Sequence, residues 1–353
     1  MNYLRMLSLL FLFVGLAGCD STTDPQPDDE TAPGVYILNE GAFQAGNAEL
    51  SYYDPVSGTV EGNLYTRSND GATLGDVANH MVADGDRLLI VVNNSRRIEV
   101  IDRTTRRSVG RIATVGLPRR ICVLPGDRAY VSMQDSTVSI IDLKALVVTG
   151  SITVGAYPED VVASGEHAFV MNSGFGSGES ISVIHIGSDS VVARIATPSG
   201  PQYGHVAGDG TVFVVCSGSF DFGNPSNERP GAILAVDPIS FIVVDSLQVD
   251  GHPGKFVLGP DGTLYLLGPG AYPSTPVQTY ATSPSLRLLD GALVEGAFYG
   301  IGIHHERGEL YLSEAGDFVT NGRVLVHRFD GVAVVTLESG IGIAPNSFVV
   351  AGQ

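Results

Sequence analysis

What this 353-residue chain has least of is cysteine and positive charge. Its three cysteines, Cys19, Cys122 and Cys216, are too few and too far apart for a disulfide framework or a Cys-based metal site. Lys and Arg total 20 against 38 Asp and Glu, a formal net charge of −18. A field of that sign disfavours nucleic acid and anionic lipid surfaces as partners. No window carries sustained helical periodicity, which argues against a helical fold. The apolar run at residues 7–16 is too short to span a bilayer comfortably. Also missing are a nucleophile elbow, a paired-carboxylate constellation, a glycine-rich phosphate loop and a zinc-binding helix. Gly174, Gly176 and Gly178 precede a strand-like run, whereas a nucleotide fingerprint needs a helix there.

Glycine and proline are plentiful, 44 and 19 residues, and the apolar fraction is rich in β-branched side chains. Such a composition suits many short strands joined by turns. Residues 119–158, RRICVLPGDRAYVSMQDSTVSIIDLKALVVTGSITVGAYP, hold four β-type runs at 120–124, 129–133, 137–143 and 147–154, broken by Gly, Pro and Asp. That is the pattern of a four-stranded antiparallel meander. The Asp closing its third run recurs as Asp54, Asp102, Asp142, Asp237, Asp290 and Asp330, with His185 at the equivalent place. Seven marks with a mean spacing of about 46 residues, and four strands per period, predict an all-β, seven-bladed β-propeller over residues 34–353.

The two ends of that region complement each other. Residues 345–350 read as a first strand with nothing after it, and residues 34–39 as a second strand with nothing before it. Joined, they complete one blade from both termini and remove the free sheet edges of an open array. On this alignment Cys122 and Cys216 lie two blades apart and are expected to be buried free thiols.

Ahead of the repeats, Arg5, the apolar run and Leu16-Ala17-Gly18 before Cys19 resemble a bacterial lipobox. The resemblance implies a signal peptide over 1–18, lipidation of Cys19 and attachment to a membrane through lipid alone. A chance Cys behind a secretion signal is the alternative. Residues 19–33 are acidic, Pro-rich and without apolar periodicity, so they are expected to be a disordered tether. An acidic run directly after a lipidated Cys also resembles a surface-export signal of some outer-membrane bacteria; a plain spacer is the other reading. Loss of residues 1–18 removes one Arg and no acid, taking the net charge to −19.

A propeller has two faces. Tight turns such as Asp84-Gly85-Asp86, Pro125-Gly126-Asp127 and Pro260-Asp261-Gly262 join first to second strands, supply the positive φ that hairpins need, and mark the plain face. His304-His305-Glu306 falls there; neighbours along a strand point different ways and no third ligand stands nearby, so no metal or acid–base site is expected. The opposite face carries the connections between second and third strands and the links between blades. Blades two and three have short connections, 93–97 and 134–136, whereas 39–47, 172–180, 217–231, 268–283 and 313–323 are long. Elaborated loops on a rigid scaffold are where binding is expected.

Those loops carry Phe43, Phe175, Phe220, Phe222, Tyr272, Tyr280 and Phe318, and the links add Tyr157, Tyr203, Phe298 and Tyr299. Their polar neighbours are Asn79, His80, Arg119, Arg120, Glu159, Asp160, His205, His252, Lys255 and Asn346. Aromatics with Asn, Arg and His around a central depression suit a flat, polar-edged small molecule or a partner's loop. Packing of each aromatic within its own loop is the alternative. Arg119 and Arg120, with Arg96 and Arg97 in the adjacent loop, form either an anion site or ion pairs to neighbouring blades; both readings stay open. Asp221 and Asp317, in long loops, could help bind a cation, but isolated carboxylates are usually solvated. No metal and no cofactor site is predicted.

The YVSM and VSIID strands and the ITVGAYP link resemble the YVTN-type, or YncE-like, seven-bladed propellers, with matching links at Val115-Gly116-Leu117-Pro118, Val154-Gly155-Ala156-Tyr157-Pro158 and Gly251-His252-Pro253. That resemblance spans nearly all of residues 34–353 and implies fold far more than function. Residues 36–55, YILNEGAFQAGNAELSYYDP, resemble the opening blade of propeller lipoproteins that stand on outer-membrane surfaces beside TonB-dependent transporters, some of which capture corrinoids such as vitamin B12. The resemblance implies Asn39, Glu40, Phe43 and Asn47 as ligand contacts, a lipid-anchored outer-membrane location and a transporter as partner. Blades four to six depart from it in loop length.

The function expected is therefore that of a non-enzymatic, lipid-anchored envelope protein holding a small molecule on its loop face. The residues expected at that site are Asn39, Glu40, Phe43, Asn47, Arg119, Arg120, Tyr157, Phe175, Tyr203, His205, Phe220, Phe222, Tyr272, Phe298, Tyr299 and Phe318. A scaffold docking another envelope protein on the same face is one alternative. A propeller enzyme of lyase or lactonase type, with His205 and Glu159 as first suspects, is another.

Overall fold

The computed structural model describes residues 34–352 except Phe222 and 271–273. The segments 1–18 and 19–33, Cys19, Phe222 and Tyr272 lie outside the described residues.

Seven four-stranded antiparallel sheets form the seven blades of a propeller. Blade three is Pro118–Leu124, Arg128–Met133, Thr137–Asp142 and Val147–Thr153, within two residues of the four predicted runs. Blade one is assembled from distant parts of the chain: Pro345–Val350 pairs with Val35–Asn39, and Glu49–Asp54 and Thr59–Glu61 follow outward. The inner strands make a closed ring in which each touches the next, Pro345–Val350 lying between Gly300–His304 and Ala78–Asp84. Closure leaves no inner sheet edge open to another chain.

Burial explains which runs are continuous and which alternate. Second strands such as Arg87–Val92 (RLLIVV) are covered on both faces by neighbouring blades and are apolar nearly throughout, whereas the outermost strand Ser108–Ala113 buries one residue in six. Between blades two and three, Leu89, Val91 and Val100 pack on Ile121, Val131 and Ile141.

In five blades the recurring Asp caps the turn from third to fourth strand; in blade six the expectation fails, because the third strand Val277–Ala281 lies within the stretch 268–283 expected to be a loop and Asp290 falls inside the fourth strand Arg287–Val294. Asp142 Oδ1 accepts from the Lys144 and Ala145 backbone N–H groups at 2.9 and 2.7 Å, and Asp237 does the same for Ile239 and Ser240. His185 substitutes a 2.9 Å hydrogen bond between Nδ1 and Ser188 Oγ. In the turns from first to second strand, Gly85, Gly126, Gly165, Gly210, Gly262 and Gly308 have φ between +55° and +90°, the region that makes glycine the least costly residue there. Cys122 and Cys216 are both free; Cys216 is buried and Cys122 only half-buried, and burial pushes both thiols up to about 12.

Candidate functional site

The link that ends each blade drops the chain back to the axis at the top of the next inner strand. In blades three, four, five and one that strand opens on a proline, Pro118, Pro158, Pro201 and Pro345, which has no N–H to give to the sheet. In blades two to five the register then slips, between Ala78 and His80, Pro118 and Ile121, Pro158 and Val161, and Pro201 and Tyr203. A bulge re-aims the side chains it frees. Asn79, Arg119, Arg120, Glu159, Gln202 and Tyr203 consequently line a pocket of about 290 Å³ on the loop face, together with Lys255, Tyr299, Asn346, Phe220 and His252. A second chamber of about 410 Å³ shares Asn79, Arg120, Tyr203, Lys255 and Asn346 and runs on to His80, His205 and an apolar wall that includes Met81, Ile301, Ile303 and Phe348.

The charges in the pocket are matched to one another. Arg119 grips Glu159 with two bonds, Nε to Oε2 at 2.9 Å and Nη2 to Oε1 at 2.6 Å. With the Asn79 amide turned so that its oxygen faces the guanidinium, Arg119 Nη1 donates to it at 2.8 Å. Arg120 Nε stands 3.0 Å from Asp160 Oδ1, and its guanidinium lies 5.3 Å from the centre of the Tyr203 ring. Both arginines are thus held by carboxylates of blade four, which decides between the two readings that the sequence left open. Burial raises the Asp160 pKa, with Arg120 opposing.

Lys255 is held differently. Its amine lies 4.7 Å from the centre of the Tyr299 ring and donates to Asn346 through Oδ1 and, at 3.4 Å, the backbone oxygen. Tyr299 and Asn346 in turn both donate to Glu40 Oε2, at 2.7 and 2.9 Å. Among the described residues no carboxylate comes within 4.0 Å of the amine. Burial draws the Lys255 pKa down to about 7, with Glu40 opposing and Arg120 reinforcing. The Tyr203 and Tyr299 hydroxyls are pushed up, mainly by burial. The pocket therefore offers donors from Arg, Lys and Asn, phenolic hydroxyls that stay protonated, and aromatic faces, all oriented in advance. That set suits holding a polar small molecule.

The chain matches one family over most of its length: residues 33–303 fit the family described as "Domain of unknown function (DUF5074)". It belongs to that family. A search of curated proteins finds no match. Among solved structures, a quinonprotein alcohol dehydrogenase-like protein from Bacteroides thetaiotaomicron is similar at 15% identity and TM-score 0.68, covering 91% of this chain and 78% of that one. A functionally unknown protein from Desulfotomaculum acetoxidans is similar at 13% identity and TM-score 0.67, over 90% and 98% of the two chains. Kuenenia stuttgartiensis hydrazine synthase is similar at 21% identity and TM-score 0.62, over 75% and 87%. At such identities the likeness speaks to fold alone.

In this DUF5074 chain the fold separates the expected site residues into groups. Arg119, Arg120, Tyr203, Phe220, Phe298 and Tyr299 line the pocket, and Glu40 is bonded to its wall. Phe298 does so from within the core, only 1% exposed. Asn39 does not reach the pocket: it is 1% exposed and its amide ties Gly342 N, Ser51 Oγ and Glu49 O together. Asn47 is exposed and its Oδ1 accepts from Ala42 N within its own loop at 2.9 Å. Phe43 and Phe175 stand out on the rim, 71% and 69% exposed, with Tyr157 packed on Phe175 at 4.2 Å between ring centres. Phe318 meets Tyr299 edge-on at 5.0 Å, while Phe220 stacks on His252 at 3.7 Å. His205 lies in the lower chamber, where burial draws its pKa down to about 4. Gln202 also lines the pocket; it carries neither charge nor ring to mark it in the sequence, but it follows Pro201 as Arg119 follows Pro118 and Glu159 follows Pro158.

Proposed function

We propose that the chain is a binding protein of the cell envelope that captures a small, polar-edged molecule in the loop-face pocket and presents it to an outer-membrane transporter. Binding, without turnover, is the role. The observation that carries this reading is the cross-braced wall: Arg119 pairs with Glu159, Arg120 with Asp160, and Tyr299 and Asn346 both donate to Glu40, so these side chains hold one another in place. A site so ordered loses little freedom on binding. The lipobox-like Leu16-Ala17-Gly18-Cys19 and the acidic stretch to residue 33 would supply a lipid anchor and tether. A corrinoid is the ligand class that the opening-blade resemblance favours. A pocket of about 290 Å³ admits an arm of such a molecule, and the macrocycle would then rest on rim aromatics such as Phe43 and Phe175.

Thermal unfolding of residues 31–353 with corrinoids, haem, siderophores and nucleotides tests the reading. A ligand at 100 times its dissociation constant adds about 2.7 kcal/mol of stability. A corrinoid that raises the melting temperature supports capture; no stabilisation by any of the panel would count against it. The exposure of Phe43, Phe175 and Val319 favours a second reading, in which the rim docks another envelope protein. That reading expects crosslinking to a protein partner which is lost when Phe43 and Phe175 are changed to Ala.

A further inference from the structure

The chain has only two lysines, Lys144 and Lys255. Lys144 sits exposed on the turn from third to fourth strand of blade three, whereas Lys255 lies where the two chambers meet. A compact primary amine in the wall of a cavity is both a cation and, when unprotonated, a nucleophile.

We propose that Lys255 is a covalent anchor: the pocket takes a small carbonyl compound, an aldehyde or an α-oxo acid, and holds it as an imine on Nζ. The inference rests on the reading that this pocket holds a small molecule, and it names the class of that molecule. Three observations converge on it. The amine faces the pocket from beside the Tyr299 ring, with Asn346 as its hydrogen-bond partner and no carboxylate in ion-pair contact among the described residues. The groups that bear on its charge are Glu40 and Glu159, which favour the ammonium, and Arg119 and Arg120, which disfavour it; burial outweighs all of them and brings the pKa to about 7. A large share of the amine is therefore unprotonated near pH 7.5. Finally, Arg120 lines the same pocket; Asp160 pairs with its Nε, and its two Nη groups are the donors that would meet the carboxylate of an α-oxo acid.

The chemistry is balanced without any oxidant or reductant. The Nζ lone pair attacks the carbonyl carbon, the carbinolamine forms, and the carbonyl oxygen departs as water with the two amine hydrogens, leaving C=N. Water reverses the step, so the ligand is held and released unchanged.

The test is reductive trapping on the wild-type domain. Glyoxylate or pyruvate is added with cyanoborohydride, which converts the imine to a stable secondary amine, and peptide mass spectrometry compares Lys255 with Lys144 as an internal reference. At pH 7.5 Lys255 is expected to be modified at least about tenfold faster than Lys144, given how far its pKa lies below that of an ordinary lysine. Lys255→Arg should keep its cooperative melting transition and lose the adduct. Equal or faster modification of Lys144 overturns the proposal. If glyoxylate or pyruvate stabilises wild type and Lys255→Arg alike while Lys255 stays unmodified, covalent anchoring fails and capture by the pocket survives. A modified Lys255 in a domain that no corrinoid stabilises would uphold the anchor and remove the corrinoid assignment.

Discussion

Breaking the Arg119–Glu159 pair probes the pocket wall most directly. The two side chains are 23% and 12% exposed and share two bonds, and Arg119 adds a third to Asn79. Deleting one partner of a fully buried pair costs about 3–5 kcal/mol, because the other charge is stranded. This pair keeps part of its hydration, so Arg119→Met is expected to cost about 2–3 kcal/mol. In a domain of this size that corresponds to a melting temperature lower by about 3–6 °C. Glu159→Met should cost a similar amount. The double variant removes both charges and leaves nothing stranded, so it should lose less than the sum of the two singles, by an interaction energy of about 1.5–2 kcal/mol. Urea and thermal unfolding of the four proteins supply the cycle. Strict additivity, with the double variant losing the sum of the two singles, would refute the claim that these groups are partners in the pocket wall.

Two further outcomes follow from the same geometry. Lys255 has a folded pKa of about 7, below that of an unfolded lysine, so the unfolded chain binds more protons above pH 7 and folding stability should rise with pH there. Between pH 7 and 9 the rise should be about 1–2 kcal/mol after allowance for partial exposure, measured by urea unfolding, and a Lys255→Met variant that retained the full rise would contradict the assignment. At the seam of blades seven and one, a Cβ on Gly302 would sit 2.5 Å from Phe348 Cβ. Gly302→Ala should therefore lower stability by about 1–3 kcal/mol, while Gly208→Ala, with open space around it, serves as the control; equal melting of the two would mean that the seam is looser than it stands here.

The blades and the axis were legible to different degrees, for a physical reason. Strand ends, tight turns and the Asp of each capped turn depend on residues a few positions apart, so blade count, the strand boundaries of most blades and the joining of residues 34–39 to 345–350 could be read from the chain alone; blade six, whose third strand Val277–Ala281 lies in a stretch that reads as loop, is the exception. What meets at the axis depends on six or seven separate strands and on bulges that re-aim single side chains. Asn39 and Glu40 are neighbours with the same polar character, yet one is locked into blade one and the other is bonded to the pocket wall. Arg119 and Arg120 read equally well as an anion site or as ion pairs until blade four placed Glu159 and Asp160 against them. The sequence by itself determined the propeller, because turn chemistry and strand periodicity are local. Only the tertiary structure decided that an amine, two paired arginines and two tyrosines share one pocket, because closing the ring brings together residues as far apart in the chain as Arg119 and Tyr299.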